Sequence, residues 1–194
     1  MRLVCGVGIN DADYVVEKKI NGKRNACPIY LSWRRMLERC YSIKFKIRRP
    51  TYTGCSVSEE WLTFSNFSNW MKSQDWQGMH LDKDILIDNN KVYSSVNCCF
   101  VSPKTNTLLG SCLASRGKYL IGCSWHKPSK KFAAYVSINC IRVHLGSFNT
   151  EIEAHNEWRK AKAAEIIKSA FTQTQDNVRE ALLERARVLL DSDK

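Results

Sequence analysis

Three things are scarce in this chain: long apolar runs, paired cysteines at metal-binding spacing, and acids over two extended stretches. Its most apolar segments, such as "VNCCFV", fall far short of the roughly 20 residues that a bilayer span needs. The opening "MRLVCGVGINDADY" reaches acids too soon for a secretory leader. A soluble, intracellular protein with no membrane partner is therefore expected. Nine cysteines are present, but the count is odd and no Cys-x-x-Cys pair occurs. That argues against a disulfide framework and for reduced, buried thiols acting as small hydrophobes. An alternative has Cys27, Cys40, Cys55 and Cys98 meeting around a structural Zn²⁺, since thiolates bind it readily.

What is present is mainly positive charge. Thirty Lys and Arg against nineteen Asp and Glu give a formal net charge of +11. Such an excess attracts polyanions, because each neutralised phosphate releases condensed counterions. The charge is clustered, which solubility does not require. Residues 34–49 hold seven basic side chains and one acid, and residues 116–150 hold six and none. At 194 residues and 44% hydrophobic content, the chain can build one large core or two small ones.

After an irregular N-terminal arm, "PIYLSWRRMLERCYS" places Ile29, Trp33, Met36, Leu37 and Cys40 on one helical face. Arg34, Arg35 and Arg39 then point elsewhere, toward solvent or toward phosphate. The following "IKFKIRRPTYTGC" adds Arg48 and Arg49 to that basic surface. A second helix is expected from "SEEWLTFSNFSNWMKS", with Ser58 as N-cap and Trp61, Phe64, Phe67, Trp70 and Met71 as core. The small, polar "GSCLASRG" reads as a linker. Past it, "YLIGCSW", "FAAYVSI" and "IRVHLGSF" alternate apolar residues between turns, as a three-stranded antiparallel meander does. Thr150 and Glu153 form a capping box that opens the helix "EIEAHNEWRKAKAAEIIKSA". A final amphipathic helix over about 176–191 carries Val178, Leu182, Ala186 and Leu189 in a stripe that docks within the chain or pairs two copies. The expected state is a monomer or weak homodimer.

The segment "IGCSWHKPSKKFAAYVSINCIRVHLGSFNTEIEAHNEWRKA" resembles the ethylene-response-factor (APETALA-type) DNA-binding domain, a domain that phage and mobile-element nucleases also carry. Its carriers are Gly122, Ser124, Trp125, Lys127, Lys131 and Phe132 in the opening, then the run from His144 to Trp158. The resemblance covers about residues 119 to 166. It implies a sheet covered on one face by a helix and laid by the other into the major groove of double-stranded DNA, which is wide enough for such an element. The residues expected to face DNA are Trp125, Lys127, Lys130 and Lys131, together with Tyr135, Ser137, Asn139 and Arg142.

Upstream, "LDKDILIDNNKVYSSVNCCFVSPKTN" reads as a strand, a turn, a second strand and a short helix opening near Pro103. That order resembles the ββα-metal finger of HNH nucleases. More broadly, "GVGINDADY", "EEWLTFSNF" and "LDKDI" resemble small phage proteins of the HNH homing-endonuclease type. The resemblance implies a phosphodiester hydrolase using one Mg²⁺ or Mn²⁺, for which carboxylate and carboxamide oxygens are suited. Asp82, Asp84 and Asn106 would hold the ion, and Asn97 would orient the loop or the base. The family's general-base histidine is replaced by Lys83, which could stabilise phosphate charge; His80 stands just upstream. The same charged residues could equally form a salt-bridged turn. The alternative function is a DNA-binding protein with an inactive finger.

The expected architecture is α+β. Residues 1–110 form a helical and ββα-metal-like module, 111–118 a linker, 119–168 the three-stranded sheet packed on a helix, and 169–194 a C-terminal helix.

Overall fold

The computed structural model describes residues 3–110, 117–139 and 141–191, and the expected linker lies almost wholly outside them. The fold is α+β, and the chain divides into two compact units, Met1–Val101 and Ser102–Lys194.

In the first unit, Pro28 opens helix α1 (Pro28–Tyr41), where its missing N–H costs nothing. The face read from the sequence is the buried one, with Trp33, Met36, Leu37 and Cys40 fully enclosed. Ser42 stops the helix in an extended conformation and caps the short α2 (Ile43–Arg48) by accepting from the Phe45 N–H. The N-terminal arm is more ordered than its sequence reading: it carries an antiparallel hairpin, β1 (Glu17–Ile20) and β2 (Lys23–Ala26). The turn is Asn21-Gly22, both at positive φ, the pair that a two-residue hairpin favours.

The expected second helix is broken. A 3-10 turn spans Glu59–Leu62, Thr63 is extended, and α3 runs Phe64–Lys72, while the Ser58 side chain caps nothing. Ile9 causes the break: its N–H bonds Leu62 O at 2.8 Å and its carbonyl accepts from Phe64 N–H at 2.9 Å. A strand-like bridge through Thr63 thus replaces helical hydrogen bonds that a continuous helix would make. The aromatic core expectation holds regardless. Trp61, Phe64 and Phe67 are buried, Trp61 meets Phe67 edge-on at 5.0 Å, and Trp33 Nε1 donates to Trp61 O at 2.7 Å. Gly8 touches this core where a Cβ would run into Leu37 and Trp33. Cys40, Cys55 and Cys98 are members of the same core, as small hydrophobes.

The two strands expected around the charged segment are short: β4 (His80–Asp82) pairs antiparallel with β6 (Cys99–Val101). A separate parallel bridge joins β3 (Ser56–Val57) to β5 (Val92–Tyr93).

The second unit begins with α4 (Pro103–Leu109), capped by Ser102, whose hydroxyl accepts from Thr105 N–H. This is the helix that the finger resemblance assigns to the first module. Its buried Thr105 hydroxyl bonds the Ser169 hydroxyl at 3.0 Å. The sheet follows as expected, in the order β7 (Cys123–His126), β8 (Lys131–Ile138), β9 (Ile141–Phe148). The capping box of Thr150 and Glu153 opens α5 (Glu151–Ala170). Small residues, Ala154, Ala163 and Ala170, are buried along α5, which lets neighbours approach closely. The sheet packs against α5, and so does α6 (Asp176–Asp191), through Val178, Leu182 and Ala186. The terminal stripe therefore docks within the chain. Among the described residues no helix is long and apolar enough to cross a membrane.

Candidate nucleic-acid interface

The face of the sheet turned away from α5 is set by register. Ala134 and Val136 are buried, and Cys123, paired with Ala134, donates its thiol to the Glu151 carbonyl at the start of α5. Alternation then assigns the odd residues of β8, Lys131 through Ser137, to the other face, with Ala133 the buried one among them. A bulge between Ala134 and Tyr135 shifts the β9 partner, so Tyr135 pairs with His144 and Ser137 with Arg142. The extra residue keeps the polar β9 side chains in step with that face.

On it, the Arg142 guanidinium lies 3.8 Å from the Tyr135 ring centroid, and the ring of His144, the direct register partner of Tyr135, lies 5.1 Å from the same ring. Stacking on an aromatic ring holds a guanidinium in one plane, the orientation needed for bidentate donation. Ser137 and Arg142 are exposed and Tyr135 is half-buried. The β7–β8 turn adds Lys127, Lys130 and Lys131, all exposed. His126 Nδ1 lies 2.8 Å from the Ser129 hydroxyl in that turn. Lys130 and Asn139 take positive φ at the two ends of β8. No acid occurs between residues 102 and 150, so nothing on these strands offsets the positive charge.

Trp125 is placed differently from its expectation. It pairs with Phe132 and shares parity with Cys123, so the register puts it on the α5 side of the sheet, with its ring 4.8 Å from Phe132. His126, Ser124 and His144, by contrast, belong to the open face by register. His144 was legible in sequence, since it stands two residues from Arg142 on one strand.

The arginines of the first unit separate into two kinds. Arg34 donates to Glu17 at 2.9 Å, and Arg39 donates to the Tyr93 hydroxyl at 3.3 Å with its guanidinium over Tyr52. Those two hold the fold together. Arg35, Arg48 and Arg49 are exposed.

The charged loop of the first unit folds on its own side chains. Asp82 Oδ1 accepts from the N–H groups of Asp84 and Ile85 at 2.7 and 2.9 Å, which closes a tight turn. Lys83 is 6% exposed, and its ammonium donates to Asp84 Oδ1 at 2.6 Å and to Asn90 O at 2.5 Å. Asn90 returns two donations, to Lys83 O and Val92 O. The Asn97 side chain reaches the same knot, 3.5 Å from Asn90 Oδ1 and from Val92 O. His80 is exposed on β4, and Asn106 belongs to α4 of the second unit.

This donor set fits a divalent cation poorly. A lysine ammonium bonds the carboxylate that would ligate, and Asp82 turns one oxygen to the backbone. Among the described residues no group of three or more His, Cys, Asp or Glu is arranged to hold a metal ion. Burial pushes the Cys40 and Cys98 thiols up to about 12, which keeps them protonated rather than thiolate. Comparison with protein-family models, with curated proteins and with solved structures returns no match.

Proposed function

We propose that the chain is a DNA-binding protein that lays the open face of β7-β8-β9 against duplex DNA, and that the loop around Lys83 is a scaffold and not a metal-dependent nuclease centre. The observation that carries this reading is the acid-free face on which Arg142 and His144 both pack on Tyr135, bordered by the lysines of the adjoining turn. Its parts divide by chemistry. Lys127, Lys130 and Lys131 are compact charges suited to phosphate, which positions the protein without reading sequence. Arg142, braced on Tyr135, suits the acceptor pair of a guanine edge, and Ser137 and Asn139 can donate to or accept from neighbouring bases.

The test measures duplex affinity of the full chain across a salt series. Lys127→Gln, Lys130→Gln and Lys131→Gln together should weaken binding on every sequence and flatten the log–log salt slope by up to about 3, at roughly 0.9 per phosphate contact. Arg142→Ala should change sequence preference as well as affinity. Unchanged slope in the triple variant would remove the sheet as the interface. The scaffold half is tested with supercoiled plasmid and Mg²⁺ or Mn²⁺, which should stay intact; nicking abolished by Asp82→Ala would restore the nuclease reading.

A further inference from the structure

We propose that the β1–β2 hairpin is a second duplex-contacting element, a basic ribbon held at its base and free at its tip, whose two faces both meet phosphate. This rests on the DNA-binding reading above but on a different part of the chain. The base is clamped. Val16 is buried and its carbonyl accepts from Cys27 N–H at 2.8 Å, and Glu17 pairs with Arg34. Beyond that clamp residues 18–25 are all exposed, so the hairpin has no apolar face of its own to bury. A two-stranded ribbon without such a face is marginal in water.

Its sequence makes matters worse for an isolated ribbon. Lys19 stands directly opposite Arg24, and like charges in that position destabilise a hairpin. Parity places Lys18 and Lys23 on one face and Lys19 and Arg24 on the other, so both faces are positive. The acid of the hairpin, Glu17, is engaged by Arg34. A strand pair that merely lay on a protein surface would gain nothing from charge on both sides. A ribbon inserted between the two phosphate walls of a groove would use both, and the major groove admits an element of this width. Duplex DNA is thus the partner that supplies the missing negative charge on each side.

The charges impose a signature that a purely structural role lacks: stability and binding should move in opposite directions. Lys19→Glu places an acid opposite Arg24, which replaces repulsion with a cross-strand ion pair. Full-length Lys19→Glu should melt no lower than the parent chain yet bind duplex at least several-fold more weakly at low salt. The triple variant Lys18→Gln, Lys19→Gln, Lys23→Gln should reduce the salt slope by about 0.9 for each lysine that meets a phosphate, additively with the sheet lysines. Wild-type affinity and slope in both hairpin variants, while the sheet variant loses slope, would overturn this proposal and leave the sheet interface standing. Absence of any salt-dependent duplex binding by the unaltered chain would overturn both. Should Lys19→Glu lose affinity only in step with a lowered melting temperature, the hairpin is structural and the proposal fails.

Discussion

Replacing Lys83 with methionine separates a scaffold lysine from a catalytic one. Methionine keeps an unbranched apolar stem, so the packing of a side chain that is 7% exposed is largely retained while the ammonium is removed. Two charge-assisted hydrogen bonds are lost, one to Asp84 Oδ1 and one to the Asn90 carbonyl. Each such bond is worth about 1.5–3 kcal/mol. Two effects reduce the sum. The ammonium no longer has to be desolvated, and the Asp84 side chain, 47% exposed, can turn to water. The Asn90 carbonyl is left without the ammonium, so a net loss of about 1–3 kcal/mol is expected. Lys83→Ala should cost roughly 1 kcal/mol more, because it also empties the stem's volume. Urea titration followed by tryptophan fluorescence would read this as a lower midpoint at unchanged slope. Duplex affinity of the folded variant should equal that of the parent. A change below about 0.5 kcal/mol, the range of ordinary surface substitutions, would refute the claim that this lysine ties the loop.

Three further outcomes follow from the packing. Gly122 sits at φ +83° with Trp158 where a Cβ would go, so Gly122→Ala should destabilise the second unit by about 2–4 kcal/mol, read as an early thermal transition. Trp125→Ala should lower stability by more than it lowers duplex affinity, since its ring lies on Phe132 on the α5 side of the sheet; the opposite ranking in paired melting and binding measurements would return Trp125 to the interface. Stability should fall as pH rises from about 9 toward 12, because burial raises the Cys40 and Cys98 thiols from 9.0 to about 12 and raises the Tyr93 phenol as well. The unfolded chain gives up these protons first, so each thiol contributes a loss of up to about 1.4 kcal/mol per pH unit in that window. Denaturation midpoints at pH 8 and 10.5 test this, and Cys98→Ala should shrink the difference.

The parts that were legible in the sequence are those decided by neighbours a few residues apart. Alternation over residues 119–148 and the Thr150–Glu153 box give the sheet and α5, and helical spacing gives the buried face of α1. What was not legible depends on distant pairing. Thr63 interrupts a helical pattern because Ile9 bonds across it, more than fifty residues away. Asn106 sits on a helix whose Thr105 is bonded to Ser169, more than sixty residues on, a pairing that no local pattern announces. The salt-bridged turn at Lys83 and Asp84 was one of the two readings of those residues; the Asn90 carbonyl, seven residues on, that also takes the ammonium was not legible. Trp125 faces DNA in what the resemblance implies, whereas strand parity decides its face. The Asn21-Gly22 turn is a local signal for a hairpin, but the flanking strands are polar and lack the apolar alternation that usually marks one.

The most direct test of the sheet interface is amide chemical-shift mapping of the full-length, ¹⁵N-labelled chain on addition of duplex DNA. Within the second unit, the largest shifts should fall on residues 124–137 and 142–147, with α5 and α6 little changed. Shifts confined to the helices, or none in the sheet at saturating duplex, would contradict that interface.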